Sequence, residues 1–303
     1  MRGCAAAKRG ATRFRLSAQA EGPSLAAPAM VIGAVVSVQL GSATATTLFD
    51  QVGPAGAVLY RLLFAAVLLL AIWRPVLMEA GREGLILVIA FGVTLAGMNL
   101  SFYESLDRID LGIAVTFEFV GPLLVGLLAS RRALDLVWVA CAAIGVLLLT
   151  RPSGSASAAG IGFALLAGGF WAAYILLSAR VGRAFSGGRG LALAMGVAAA
   201  LMVVPGTAAA GGDLLDPSAA AVGAATAVLS SVIPYSLELE ALRRIAVGTF
   251  GVLMSIEPAV AALIGLIALG QGLATVDALG IALVVVASAG VLGASVAQAP
   301  TEA

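Results

Sequence analysis

The feature that most constrains this chain is a series of ten runs of about 20 apolar residues, at 26–48, 54–73, 84–104, 110–130, 134–151, 158–179, 188–209, 218–239, 248–269 and 275–297. A run of that length crosses the hydrocarbon of a bilayer as one helix. Lipid offers no partner for a backbone amide, so an apolar spanning segment must satisfy its own hydrogen bonds. Only 11% of the residues are charged, against about 25% in an ordinary soluble domain, and mean hydropathy is +1.08. The predicted fold class is all-α integral membrane, with ten transmembrane helices. The connections are short and carry helix breakers, as in "DQVGP", "RPVLMEAGRE", "RPSGSAS" and "GGDLLDP". Pro54 and Pro217 fall at or just before helix starts, where a missing N–H costs nothing.

Loop charge sets the orientation. With the N-terminus in the cytoplasm, fourteen basic residues fall on the inner side: Arg2, Lys8, Arg9, Arg13, Arg15, Arg74, Arg82, Arg131, Arg132, Arg180, Arg183, Arg189, Arg243 and Arg244. Only Arg108 and Arg151 fall outside, and Arg61 is left within a span. Cytoplasmic loops of short-loop membrane proteins carry such an excess, so both termini are predicted to be cytoplasmic, in a bacterial inner membrane. An invented or missed span would scramble the alternation. Residues 1–24 read as a basic disordered tail and 299–303 as a short C-terminal tail, with the first span retained rather than cleaved.

The sequence divides into two halves of five spans, 25–152 and 153–298, joined near "RPSGSASAAG". Spans 4 and 9 each carry an acid near mid-membrane with a proline close behind, Glu118/Pro122 and Glu257/Pro258. "AAIGVL" (142–147) matches "ASAGVL" (287–292). Because five is odd, the second half enters the membrane in the opposite direction, which is the inverted repeat common in secondary transporters. Chance similarity among Ala- and Gly-rich helices explains such short matches about as well.

A charge at mid-bilayer costs roughly 2.5–3.5 kcal/mol on insertion scales, so Arg61, Glu118 and Glu257 need a reason. Each sits roughly 10–15 Å deep at 1.5 Å per residue. Two readings compete: a substrate site with a proton relay, or a buried Arg–Glu pair that only fixes helix packing. Pro122 cannot donate to the carbonyl of Glu118, and Pro258 frees that of Met254. Opened backbone at membrane depth is tolerated where it lines a cavity. Span 8 adds "SSVIPYSLELE", with a kink expected at Pro234, polar Tyr235 and Ser236 at the kink, Glu238 one turn on, and Glu240 beside Arg243 and Arg244 as an interfacial ion pair. Asn99 in "GMNLSFYE", Ser37, Gln39 and Ser42 in span 1, and Trp171 and Tyr174 in span 6 complete the polar candidates, although lone aromatics are more often packing. Gly251, Ser255, Pro258, Ala262 and Gly265 make a small-residue seam on span 9.

Several functions are excluded. There is no histidine, so proton chemistry falls to carboxylates. Cys4 and Cys141 form neither a metal pattern nor a plausible disulfide. No phosphate loop, dinucleotide fingerprint or ATPase motif is present, so no cofactor is expected and ATP on this chain cannot drive transport. A net charge of +1 implies no nucleic-acid partner. Lipid, protons and a small-molecule substrate are the expected partners, with monomer and homodimer both left open.

The stretches "SVQLGSATATTLFDQVGPAGAVLYRLLFAA", "GMNLSFY", "LGIAVTFEFVGPL", "FWAAYILLSAR", "IPYSLELEALRR" and "GTFGVLMSIEPAVAAL" together resemble the EamA branch of the drug/metabolite transporter superfamily. Within it they are most similar to threonine/homoserine exporters of the RhtA type, over residues 30–295. The resemblance implies two inverted five-helix repeats and proton-coupled amino-acid efflux, with Glu118, Glu238, Glu257 and Arg61 as the polar residues of the conduit. Two positions depart from the pattern: Thr46 and Thr47 stand where a Lys is often found, and Gly270-Gln271 replaces Gly-Glu, so no role is assigned to Gln271. Glu118 and Glu257 are thus the candidate proton carriers. Arg61, Gln39, Asn99, Tyr235, Glu238 and Trp171 are the candidate substrate contacts. Rival readings are an exporter of other metabolites, such as aromatic amino acids, drugs or nucleosides, and an integral-membrane enzyme. The enzyme is disfavoured because no paired Asp motif or Ser/Lys dyad stands out.

The charge bias yields a direct test. Reporter fusions after Arg151 and Asp213 are expected to read external, and fusions after Arg82 and Arg183 cytoplasmic; one swapped reading breaks the ten-span arrangement.

Overall fold

The computed structural model describes residues 26–75, 81–129, 135–149, 157–242, 244–245 and 247–296. Both predicted tails and four of the arginines used for orientation within the chain (Arg131, Arg132, Arg151 and Arg243) lie outside the described residues. Every element among the described residues is helical. In chain order they are α1 (Ala26–Thr46), α2 (Phe49–Trp73), α3 (Gly81–Leu106), α4 (Leu111–Glu118), α5 (Val120–Ala129), α6 (Asp135–Leu149), α7 (Ala158–Ala184), α8 (Arg189–Ala210), α9 (Pro217–Ala227), α10 (Ile233–Leu242), α11 (Val247–Met254), α12 (Glu257–Ala268) and α13 (Thr275–Val296). Seven helical stretches among the described residues are long and apolar enough to span a bilayer, and Leu111–Val125, Ala140–Leu149 and Thr275–Gly290 are shorter apolar helices. The chain is a multi-pass membrane protein.

The surface confirms the solvent. Leu128, Val204, Ile267 and Leu147, all within long apolar helical runs, present most of their area outward, as expected where acyl chains cover a helix. The interior holds the polar groups instead: Gln39, Arg61, Asn99, Glu118 and Glu257 are all buried.

Most of the breaks fall where prolines and glycines dictate. Gly53 takes φ +70° inside α2, a left-handed value that favours glycine, and Pro54 begins the regular part behind it. Pro217 opens α9 behind Asp216, whose side chain accepts from the Ser218 amide at 2.7 Å. The Ser218 hydroxyl and amide, with Gln51, hold the Asp216 carboxyl below the usual carboxylate range. Span 4 breaks at Phe119, between α4 and α5, three residues before Pro122. Span 9 breaks at Ser255–Ile256, so Glu257 opens α12 with Pro258 in its first turn. Span 8 holds a π-turn at Val228–Val232 between α9 and α10.

Helices pair across the two halves of the sequence: α2 packs on α8, α3 on α7, α6 on α13, α1 on α10 and α4 on α12. Small residues permit the close crossings. A Cβ on Gly121 would stand 1.9 Å from the Gly168 carbonyl oxygen, and one on Gly168 would stand 2.5 Å from that of Glu118. Backbone therefore lies on backbone where α4 and α5 meet α7, beside the carbonyl that Pro122 leaves without a helical donor.

Candidate functional site

The intramembrane charges collect where the broken helices meet. α4 delivers Glu118 from its last residue and α12 delivers Glu257 from its first. An acid in the first turn of a helix is favoured by the exposed N–H groups there. Gln39 of α1 reaches across to donate to Glu257 Oε1 at 2.9 Å. The second carboxylate oxygen of Glu257 and the amide oxygen of Gln39 are buried and have no partner. Two adjacent orphan acceptors are costly in a dry interior and call for a donor: a proton on the acid or a cationic ligand. The charges of Glu118 and Glu238 both act on Glu257, so the three acids form one electrostatic group.

Arg61 stands on α2 with 5% of its surface exposed. Its Nη2 donates to the Ser230 carbonyl at 3.1 Å, its Nε to the Ser231 hydroxyl at 3.3 Å and its Nη1 to the Tyr103 hydroxyl at 3.4 Å. The guanidinium also lies 5.6 Å from the centre of the Tyr103 ring. Each hydrogen-bond acceptor is neutral. No ion pair joins Arg61 to an acid among the described residues, although its charge acts on Glu118 and it interacts directly with the Tyr235 side chain. The buried Arg–Glu pair that would explain these residues by packing alone is therefore not formed. A guanidinium has five N–H donors. Three long bonds leave it able to take an anion.

The bond to Ser230 has a cause in the chain. Pro234 has no N–H to give to the carbonyl four residues before it, and that carbonyl belongs to Ser230. The π-turn at 228–232 is the local consequence, since the Ile233 amide reaches back to the Val228 carbonyl instead. Ser37 of α1 donates to the Leu229 carbonyl at 2.7 Å. Side chains from the first half thus satisfy backbone groups of the π-turn in the second.

The other predicted residues divide. Tyr235 and Glu238 follow the π-turn on α10 and act electrostatically on Tyr174, whose ring stacks on Phe91 at 5.2 Å. Trp171 meets Phe119 edge to face at 5.3 Å, directly at the break after Glu118. Asn99 is buried but spends its amide on the Leu95 carbonyl of its own helix at 2.8 Å, and no hydrogen bond joins it to the acids. Glu240 pairs with Arg244 at 2.6 Å, as expected of an interfacial pair. Sequence reading missed Tyr103, Ser230, Ser231 and Gln271. The first three lie inside motifs it singled out. Gln271, left without a role, accepts from the Leu111 amide at 3.0 Å.

Comparison with known proteins gives the family. Residues 158–293 match the EamA-like transporter family. The threonine/homoserine exporter RhtA of Escherichia coli (strain K12) is 39% identical over 264 residues, 86% of this chain and 89% of the relative. The chain belongs to the EamA-like transporter family. The RhtA exporter of Salmonella typhimurium (strain LT2) is 40% identical over 260 residues, 85% of this chain and 88% of its own. A crystal structure with TM-score 0.61 and 18% identity covers 90% of this chain and 99% of its own, and shares the fold. The protein is a membrane transporter rather than an enzyme.

The Arg61–Ser230 bond can be tested by a double-mutant cycle. Pro234→Ala supplies the missing N–H, so Arg61→Ala is expected to cost less thermal stability in that background than alone, with a coupling on the order of 1 kcal/mol in detergent-solubilised protein. Additive effects of the two substitutions mean that Arg61 does not hold the freed carbonyl.

Proposed function

We propose that this transporter is a proton-coupled secondary exporter of small amino acids, with threonine and homoserine as its leading cargo. It works in a bacterial inner membrane, with ten spans in two inverted five-helix repeats and both termini cytoplasmic. The helix pairings support the repeat. Exchanging each span with the one five places on maps 2 with 7, 4 with 9 and 5 with 10 onto themselves, and exchanges 1 with 8 for 6 with 3, which are the pairs that pack. A two-fold relation between halves would give this pairing.

One observation carries the choice of cargo: a buried guanidinium without an acid partner stands in the same polar cluster as a buried carboxylate oxygen without a donor. An α-amino acid brings the missing group to each. Its carboxylate suits the free donors of Arg61, and its ammonium suits Glu257 with the Gln39 amide oxygen. Glu118 is the second proton-carrying candidate, beside the Arg61 field. Tyr235, Glu238, Trp171 and Asn99 are assigned to the walls of the site. The names of the relatives support hydroxylated amino acids within that class.

The cycle then follows from charge balance. From the cytoplasm, the ammonium binds at the protonated acid, which releases its proton to the cytoplasm and becomes the ionised partner of the ammonium. From outside, a proton returns to the acid, removes the attraction for the ammonium, and the amino acid leaves. One proton enters for each amino acid that leaves through such an exchange.

Purified protein in liposomes with an imposed pH gradient and labelled threonine tests this. Glu→Gln at the coupling acid keeps the shape, removes the titration and abolishes pH-driven efflux, while exchange of threonine for threonine survives in part. Pumping that persists in both Glu118→Gln and Glu257→Gln refutes proton coupling through these acids. Arg61→Lys is expected to lose transport by about tenfold or more with normal protein levels, because an ammonium cannot hold a carboxylate through two parallel bonds. Full transport in Arg61→Lys returns Arg61 to a packing role.

A further inference from the structure

The loop between α12 and α13 turns back on the molecule at Gly270, whose φ of +64° lies in the left-handed region. That turn directs Gln271 across the second half to the first. Its Oε1 accepts the backbone amide of Leu111, the first residue of α4, at 3.0 Å, and its backbone N–H donates to the Gly265 carbonyl at 3.0 Å. The residue before α4, Asp110, makes no capping bond with its side chain. Gln271 therefore supplies a cap that α4 lacks from its own sequence.

The surroundings are built to admit it. A Cβ on Gly265 would stand 2.4 Å from the Gln271 Oε1, so the amide lies directly against that glycine. A Cβ on Gly112 would stand 2.6 Å from the Cα of Ala262, so α4 and α12 cross with almost no side chain between them. A cavity of about 10 Å³, room for one water, remains beside Asp110, Ile113, Gln271 and Asp277. The two helices tied here are the two that carry the intramembrane acids at their far ends. Glu118 lies seven residues below Leu111, about 10 Å along α4, and Glu257 eight residues below Gly265, about 12 Å along α12.

We propose that Gln271 is the clasp of the outer gate: it holds the outer ends of α4 and α12 together in the closed state, and release of its bond to Leu111 opens the path from outside to the acids. The clasp bridges the two halves through one neutral hydrogen bond, which is strong enough to bias a gate and weak enough to break in each cycle. The clasp takes its outer side from the orientation proposed above, and is independent of cargo and of the coupling ion. Its test reads access rather than transport, so it can fail while the proposed function stands, and the reverse.

The test uses the full chain with Cys4→Ser and Cys141→Ser, in right-side-out vesicles, with a membrane-impermeant cationic methanethiosulfonate. Ile113→Cys reports from just beneath the clasp, and Val58→Cys, equally buried on α2, reports general loosening. Adding Gln271→Ala is expected to raise the labelling rate at Ile113→Cys about fivefold, the ratio for one lost neutral hydrogen bond, and to leave Val58→Cys unchanged. Gln271→Glu retains an acceptor oxygen and is expected to keep labelling low. An unchanged rate at Ile113→Cys, an equal rise at both positions, or a rise seen only in inside-out vesicles overturns the proposal.

Discussion

A guanidinium buried among neutral acceptors organises the centre of this molecule. Arg61 reaches from α2 to the Ser230 carbonyl because Pro234 leaves that carbonyl without a helical donor. The bond replaces a backbone hydrogen bond that lipid could not supply. It also joins the first half of the chain to the π-turn of the second, with Ser37 doing the same for Leu229. Glu118 and Glu257 stand close enough to be influenced electrostatically by neighbouring charged groups, but neither closes an ion pair with Arg61. Groups able to carry charge of either sign therefore share one buried cluster without forming an ion pair. That condition suits a ligand carrying both signs, and it explains why the cluster is poorly described as packing alone.

The small residues make the cluster geometrically attainable. Gly121 and Gly168 let α5 meet α7 backbone to backbone beside Glu118, and Gly112 lets α4 lie on Ala262 of α12. Lipid gives no hydrophobic drive for helices to associate, so close contact of this kind and shared polar groups must supply the attraction. The acids ride on α4 and α12, short helices of 8 and 12 residues, each ending at a break. A short rigid segment hinged at one end and tied at the other can swing without unfolding a whole span.

Much of this was legible in the sequence. Run length located the helices, because backbone satisfaction in lipid leaves few alternatives. Proline position foretold the broken spans at Glu118, Pro234 and Glu257, since a missing N–H frees a carbonyl there, although α8 carries Pro205 without a break. The same subtraction of four residues, applied to Pro234, points at Ser230 and would have found the partner of Arg61. Helix pairing was not legible, because a helix apolar on every side carries no face to read. The fate of Asn99 was hidden for a related reason: an amide in a helix can bond its own preceding turn, and composition does not say which way it points. Gln271 lay in a departure from the family pattern, and only the left-handed turn at Gly270 brings it to α4.

The central claim is that a buried acid trades its proton for the ammonium of the cargo. The most direct test is proton release when threonine is added to purified protein in weakly buffered detergent. The account predicts acidification that saturates with threonine binding and disappears when the coupling acid, Glu257 or Glu118, is changed to Gln. Saturable threonine binding by the unaltered protein with no proton release contradicts it.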